Sequence, residues 1–484
     1  MRRREFITTT AATAAGLLLG RAASAGDNPN KQNRPNILFI MTDQQHAGMM
    51  SCTGNKWLKT PALDRLAASG VRFECTYACN PVCVPNRFSL QTGLMPSAIG
   101  MSHNGDSAQA AVTEKMVRQS LGRLFRDAGY ETVYGGKVHL PRKMKGVENL
   151  GYRNLTNDRR QGLGDACAEF LKGRHEKPFL LFASFINPHD ICYMAINDFN
   201  RTQQKAPMGN EDSKICEAVL DRARKTGDIS DFVEKNCPPL PANHAVPEDE
   251  AECIMEKYIN PRPFQAYTRE KWKQDQWRLH RWAYCRLTEM VDAEIGIVLD
   301  ALKESGLEGN TLIVFTSDHG DMDSAHKLEH KQVLYEESVR VPLIMSRAGR
   351  IPAGVIDDTH LVSNGLDLLP TLCDYGGIKT PEGLPGRSLR PLAEGKAVEW
   401  RDFVVTESHY GRMLRTKRFK YCIYDSGRHR EQLMDMVNDP GEMKNLAEVE
   451  DYKDVLDEHR RLLRGWVEKT GDKIAARYVN PELY

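Results

Sequence analysis

Five short, nearly unbroken apolar runs constrain the fold of this chain more than any other feature of it. Residues 36–43, 132–138, 179–186, 311–318 and 342–345 are too continuously apolar for half-exposed strands and read as strands buried on both faces. Between them, residues 60–70, 120–129 and 287–306 carry helical patterns, the first with Thr60 as cap, Pro61 at the first turn and Gly70 at the end. Strand and helix in alternation predict an α/β fold, a large mainly parallel sheet sandwiched by helices. Ligands bind such sheets beyond the carboxyl ends of the strands. Asp43, Lys137, Asn187 and Asp318 all fall at or just after such ends.

Residues 80–93 read Asn-Pro-Val-Cys-Val-Pro-Asn-Arg-Phe-Ser-Leu-Gln-Thr-Gly. Pro85 fixes φ and removes a backbone donor, the helix that follows offers an N-terminus to anions, and Arg87 carries a permanent planar charge one turn beyond Cys83. The run resembles the signature of the type I sulfatases of the alkaline phosphatase superfamily. In that family the cysteine is oxidised to formylglycine, whose hydrated aldehyde is the nucleophile. Met41-Thr-Asp-Gln44 and Thr316-Ser-Asp-His-Gly-Asp321 resemble the family's metal motifs, Gly136-Lys137-Val138-His139 its Gly-Lys-x-His segment, Asn187-Pro-His189 its Pro-His element, and Lys331 the lysine ahead of its Tyr-Glu run.

The resemblance implies Asp43, Gln44, Asp318, His319 and the modified Cys83 around a hard cation such as Ca²⁺, with Mg²⁺ or Mn²⁺ left open by the imidazole. It further implies that Arg87 orients the nucleophile, Lys137 and Lys331 neutralise the sulfate oxygens, His189 protonates the leaving alcohol and His139 is the base of the second half-reaction. Lys137, His189, Asp190, Lys331 and His103 form the expected substrate set, with a sulfated carbohydrate as substrate. Departures from the family pattern are Val138, Asp190 after the Pro-His, and a longer 321–330 stretch. A phosphonate or phosphate ester hydrolase of the same superfamily, and a sulfoglycan-binding protein with Cys83 unmodified, are the alternatives.

Residues 1–25 have a basic start with Arg3 and Arg4, an uncharged stretch and a small-residue end at Ala25, the three parts of an export signal of twin-arginine type. Its apolar stretch is shorter than the roughly 18 residues a spanning helix needs. Removing it takes four arginines and one glutamate, so the formal charge of +1 becomes −2, which offers no field for nucleic acid. The maturase, a formylglycine-generating or radical-SAM enzyme, would act on Cys83 before export.

Residues 26–385 read as the catalytic domain, with a polar, proline-spotted insertion at 196–280 as a substrate cap. Residues 386–484 read as a smaller α+β subdomain with antiparallel strands and a final helix over 448–470. The twelve cysteines fit no disulfide scaffold. Cys75, Cys79 and Cys83 recur at a metal-like spacing that Pro81 and Pro85 interrupt.

Overall fold

The computed structural model describes residues 34–479. Its main sheet has eight strands in the spatial order β5 (Arg153–Thr156), β4 (Glu131–Gly136), β6 (Phe179–Pro188), β1 (Asn36–Asp43), β7 (Thr311–Ser317), β8 (Leu343–Ser346), β2 (Val71–Phe73) and β9 (Val355–Asp357). β1 is parallel to both neighbours, with Phe39 opposite Phe182 on one side and Val314 on the other. β1, β6 and β7 are buried along their whole length. Alternate residues serve opposite faces. Ile37, Phe39 and Met41 pack with α2 (Cys83–Thr92) and α5 (Asn364–Gly376), while Leu38 and Ile40 pack with α1 (Pro61–Ala68), α3 (Gln161–Lys172) and α4 (Gln274–Glu304).

The sheet is mainly parallel, as expected, with one reversal at β8. This strand runs antiparallel to β7, Leu343 opposite Thr316, because residues 318–342 contain only short helical turns, and a parallel return needs a full crossover. The whole 318–342 loop therefore lies at the carboxyl end of the sheet. Asp323, Ser324, His326, Lys327, His330 and Gln332 all have positive φ in it, a conformation costly for residues with a side chain. The loop is fixed by bonds such as Met322 N–H to His330 O (2.7 Å) and Arg281 to Asp323 (3.0 Å).

Two expectations for the helices need correction. Thr60 caps nothing with its hydroxyl, which bonds Ser51 and Asp64 instead. The free N–H groups of Ala62 and Leu63 are taken by Asp292 of α4, at 3.1 and 2.9 Å. The long helix also begins at Gln274, not at 287, and its first turns bring Trp277 and Trp282 into a core with Val219, Leu220 and Val233. The expected insertion is thus largely helical and packs a core of its own.

β3 (Thr76–Tyr77) pairs with β10 (Val362–Ser363), and four antiparallel strands follow in sequence order: β11 (Phe403–Glu407), β12 (Gly411–Thr416), β13 (Phe419–Tyr424) and β14 (Glu431–Asp435). α6 (Lys453–Thr470) packs on this sheet. The C-terminal sheet meets the front of the molecule where Glu407 N–H bonds Cys79 O at 2.8 Å. All twelve cysteines are unpaired thiols. Cys75 bonds Asp358 O and Cys79 the Ser363 hydroxyl, so the three regularly spaced thiols do not converge. The expected signal segment lies outside the described residues. Within them no helix is long and apolar enough to cross a membrane.

Candidate active site

Every residue of α2 is buried, and its first residue, Cys83, sits at the carboxyl end of the central strands. One turn on, Arg87 extends beneath it. The guanidinium donates Nη2 to Asp43 Oδ2 (2.8 Å), Nε to Asp318 Oδ2 (2.7 Å) and Nη1 to Lys137 O (2.9 Å) and Ser184 Oγ (2.8 Å). One side chain thereby ties together the ends of β1, β4, β6 and β7. Gly136 makes this possible: its φ is +91° and an added Cβ would lie 2.1 Å from Ser184 O, so only glycine admits the turn that delivers Lys137.

With both Oδ2 atoms on Arg87, the Oδ1 atoms face a common point. Asp43 Oδ1 lies 3.8 Å from Cys83 Sγ and 3.9 Å from His319 Nε2; Asp318 Oδ1 lies 3.5 Å from the same Nε2, and Sγ is 3.1 Å from it. His319 Nδ1–H donates to Gly320 O (2.9 Å), so Nε2 is the ring nitrogen turned toward the cluster. That is the orientation of a metal-bound imidazole. Asp43, Cys83, Asp318 and His319 place four donor atoms within 4.8 Å of one another. The donor set fits a divalent cation.

Electrostatics agree with the geometry. Burial would raise the Asp43 carboxyl, but Lys137 at 2.7 Å, His189, Arg87 and Lys331 hold it well below the ordinary range. Asp318 is pushed up to about 6 by burial and by the charge of Asp43, against the pull of His319 and Arg87. Two carboxylates forced together in this way are stabilised by a cation between them. Burial and Asp43 raise the Cys83 thiol, yet Lys137, Lys331 and His319 outweigh them and bring it well below its usual value. Burial, Lys137 and Lys331 together depress His189.

Other expected residues divide. Lys331 Nζ is 3.3 Å and Lys137 Nζ 3.9 Å from Sγ. Gln44 lies in the cluster, its N–H on Asp318 Oδ1 (3.1 Å), but its amide oxygen accepts from Lys331 (2.6 Å) and the Cys192 thiol (3.1 Å) while its NH₂ bonds Asp321 (2.6 Å). A metal bond from Gln44 requires those contacts to change. Asp190, expected to bind substrate, is instead fully buried with both oxygens accepting from Arg160 (2.9 and 2.7 Å). This pair also occupies the nearby His189, Asp190 and Asp212 group. His139 is exposed, and among the described residues it makes no hydrogen bond to Cys83. In the 318–342 loop His326 is buried and its ring stacks on Tyr335, centroids 3.9 Å apart.

Sequence reasoning missed Ser184, Cys192 and Arg160. The first was visible as a lone hydroxyl within an otherwise apolar strand, whereas the other two carried no local signal.

A sulfatase family model matches residues 35–378, most of the chain. The chain belongs to the sulfatase family. A second model, the C-terminal region of N-sulphoglucosamine sulphohydrolase, matches residues 324–469 of this sulfatase. It is 30% identical to a Delta 4,5-hexuronate-2-O-sulfatase of Bacteroides thetaiotaomicron, over 96% of this chain and 94% of that protein. It is 28% identical to an arylsulfatase of Clostridium perfringens, over 89% and 94% of the two chains. Among solved structures, a 2-O GAG sulfatase superposes with a TM-score of 0.74 at 27% identity, covering 92% of this chain and 94% of that one. The enzyme is a sulfuric ester hydrolase, and the buried Asp, Cys, Asp and His cluster resembles the sulfatase active site.

Proposed function

We propose that this sulfatase hydrolyses sulfate esters of carbohydrates, with Cys83 converted to formylglycine and a divalent cation, Ca²⁺ in the first instance, held by Asp43, Asp318 and His319. The observation that carries this is the convergence on Cys83 Sγ of Lys331, Lys137, His319 and the paired carboxylates. A cation held there would polarise the sulfate oxygens, and formylglycine at position 83 would supply a hydroxyl nucleophile. Arg87 fixes both aspartates and is spent on that task. Lys137 and Lys331 are the ammonium groups left to face the non-bridging oxygens. Burial, with the charges of Lys137 and Lys331, depresses His189; an arriving anion offsets those two charges, and His189 is the group we assign to protonate the leaving alcohol. His139 takes the base role only if it moves toward Cys83.

The carbohydrate substrate draws support from the names of the relatives, a hexuronate sulfatase and a GAG sulfatase among them. Export by the twin-arginine-type signal, with cleavage after Ala25, belongs to the same reading, as does a maturase acting on Cys83. The division into a catalytic domain to 385 and a subdomain beyond it is supported by the separate four-stranded sheet.

Matched kcat/KM values on sulfate and phosphate esters of one sugar alcohol, measured on maturase-coexpressed protein, test the reading. Two ammonium groups and one metal suit a singly charged sulfate, so sulfate should be preferred. A higher value for the phosphate ester would transfer the assignment to the phosphate and phosphonate hydrolases of the superfamily.

A further inference from the structure

Beside the site stands a guanidinium with no carboxylate. Arg262, half-buried ahead of the helix Pro263–Lys271, donates to Gln332 Oε1 (2.5 Å), Tyr258 O (3.2 Å) and Gln265 Oε1 (3.4 Å), all neutral acceptors. No acid lies within ion-pair distance of it among the described residues. Glu329, the acid that acts on it, is bonded instead by Gln265 (3.2 Å) and Thr268 (2.9 Å). By contrast, Arg87, Arg160, Arg281 and Arg412 each hold a carboxylate. A partly desolvated guanidinium held only by neutral groups is incomplete without an anion.

Its position ties it to the reaction centre. Gln332, held at φ +91°, follows Lys331, whose Nζ reaches Cys83. From the other side, Asn104 accepts the N–H of Val84 at 3.0 Å, and the ring of the preceding His103 lies 5.3 Å from that of His409. Burial lowers both imidazoles, with Arg262 adding to it and Asp106 opposing it. Gly105 N–H donates to His103 Nδ1, so its proton sits on Nε2. The Ser102 hydroxyl hydrogen goes to Asp106, so His409 donates Nδ1–H to Ser102 Oγ (2.7 Å) and keeps a lone pair on Nε2. Neither Nε2 is used within the described chain. Tyr258 links the groups, accepting from Arg262 at its carbonyl (3.2 Å) and from the N–H of Tyr410, next to His409, at its hydroxyl (3.1 Å), so a cation without a carboxylate stands near an unused N–H donor and an unused acceptor.

We propose that Arg262 binds a second anionic group of the sulfated sugar, a carboxylate or a second sulfate, while His103 and His409 read an adjoining hydroxyl. This rests on the sulfated-sugar reading above and narrows it to polyanionic sugars. It also keeps His103 in the substrate set and replaces Asp190 there with Arg262 and His409.

The test compares kcat/KM on paired substrates: glucuronic acid and glucose sulfated at the same ring position, and a disulfated glucosamine with its monosulfated counterpart. Wild type should favour the polyanionic member of at least one pair, and which pair responds separates carboxylate from sulfate. Arg262→Gln should cut that preference about ten- to a hundredfold, through KM, and Arg262→Lys should retain part of it. An unchanged ratio in both variants overturns the proposal, even if each loses activity through the Gln332 contact. Turnover of no sulfated sugar by wild type would instead bring down the sulfated-sugar reading, and the proposal with it.

Discussion

Around Cys83 the chain gathers more positive charge than its two aspartates neutralise, and the roles of individual residues follow from that excess. Arg87 faces both carboxylates and Lys137 also touches Asp43 at 2.7 Å, so the positive charge left over for an incoming anion is shared by Lys137 and Lys331. Burial and those lysines depress His189, and a bound sulfate offsets the lysines' charge. His189→Ala should therefore cost about 10²- to 10⁴-fold in kcat on an alkyl or sugar sulfate, whose alcohol needs a proton to leave, and far less on an activated aryl sulfate. Parallel assays on both substrates check this, and equal losses would shift the acid role to Lys331. Cys83, Arg87, Asp43, Asp318 and His319 were legible in sequence because local motifs carry them to strand and helix ends. The fates of Gln44 and Asp190 were not, since Lys331 lies 287 residues from Gln44 and Arg160 is 30 from Asp190. Short-range spacing holds no trace of such partners.

At the scale of elements, the strands were legible because double-sided burial writes itself as continuous hydrophobicity. The parallel course of β1, β4, β6 and β7 was legible too; the reversal at β8 was not. Whether the chain crosses over or turns back after β7 depends on the 318–342 loop, which lacks the helical period that would have announced a crossover. The early start of α4 was hidden for a related reason: its first turns mix aromatic residues with Arg278, His280 and Arg281, and the apolar face is completed only by helices of the insertion.

Farther along α4, Glu294 is buried with Oε2 unpartnered. Burial, opposed by Arg160 and aided by Asp158 and Asp190, raises its carboxyl from 4.5 to about 8. A raised acid favours the folded state fully below its unfolded value, and that contribution is lost as pH rises through the folded one, by at most about 1.4 kcal/mol per pH unit. Glu294→Gln should accordingly stabilise the protein more at pH 8 than at pH 5 in urea titrations. A variant equally shifted at both pH values would show that Glu294 ionises freely in the fold.

Across the whole molecule, the site is assembled from five separated stretches: the end of β1, the start of α2, the turn after β4, the end of β6 with His189, and the loop between β7 and β8. The eight-stranded sheet and α2 packed on it bring all five to the same edge, and the family match over residues 35–378 coincides with the part of the chain that builds it. The insertion helices and the C-terminal sheet lie outside that framework and supply Arg262 and His409 to its mouth. The account stands or falls on the chemistry at Cys83. Preparations made with graded maturase coexpression can be assayed for kcat on a sulfated sugar while peptide mass spectrometry gives the fraction of Cys83 that has lost sulfur and gained an aldehyde. Activity should rise in proportion to that fraction and extrapolate to zero at none. Full turnover by protein whose Cys83 is still a thiol would contradict the account.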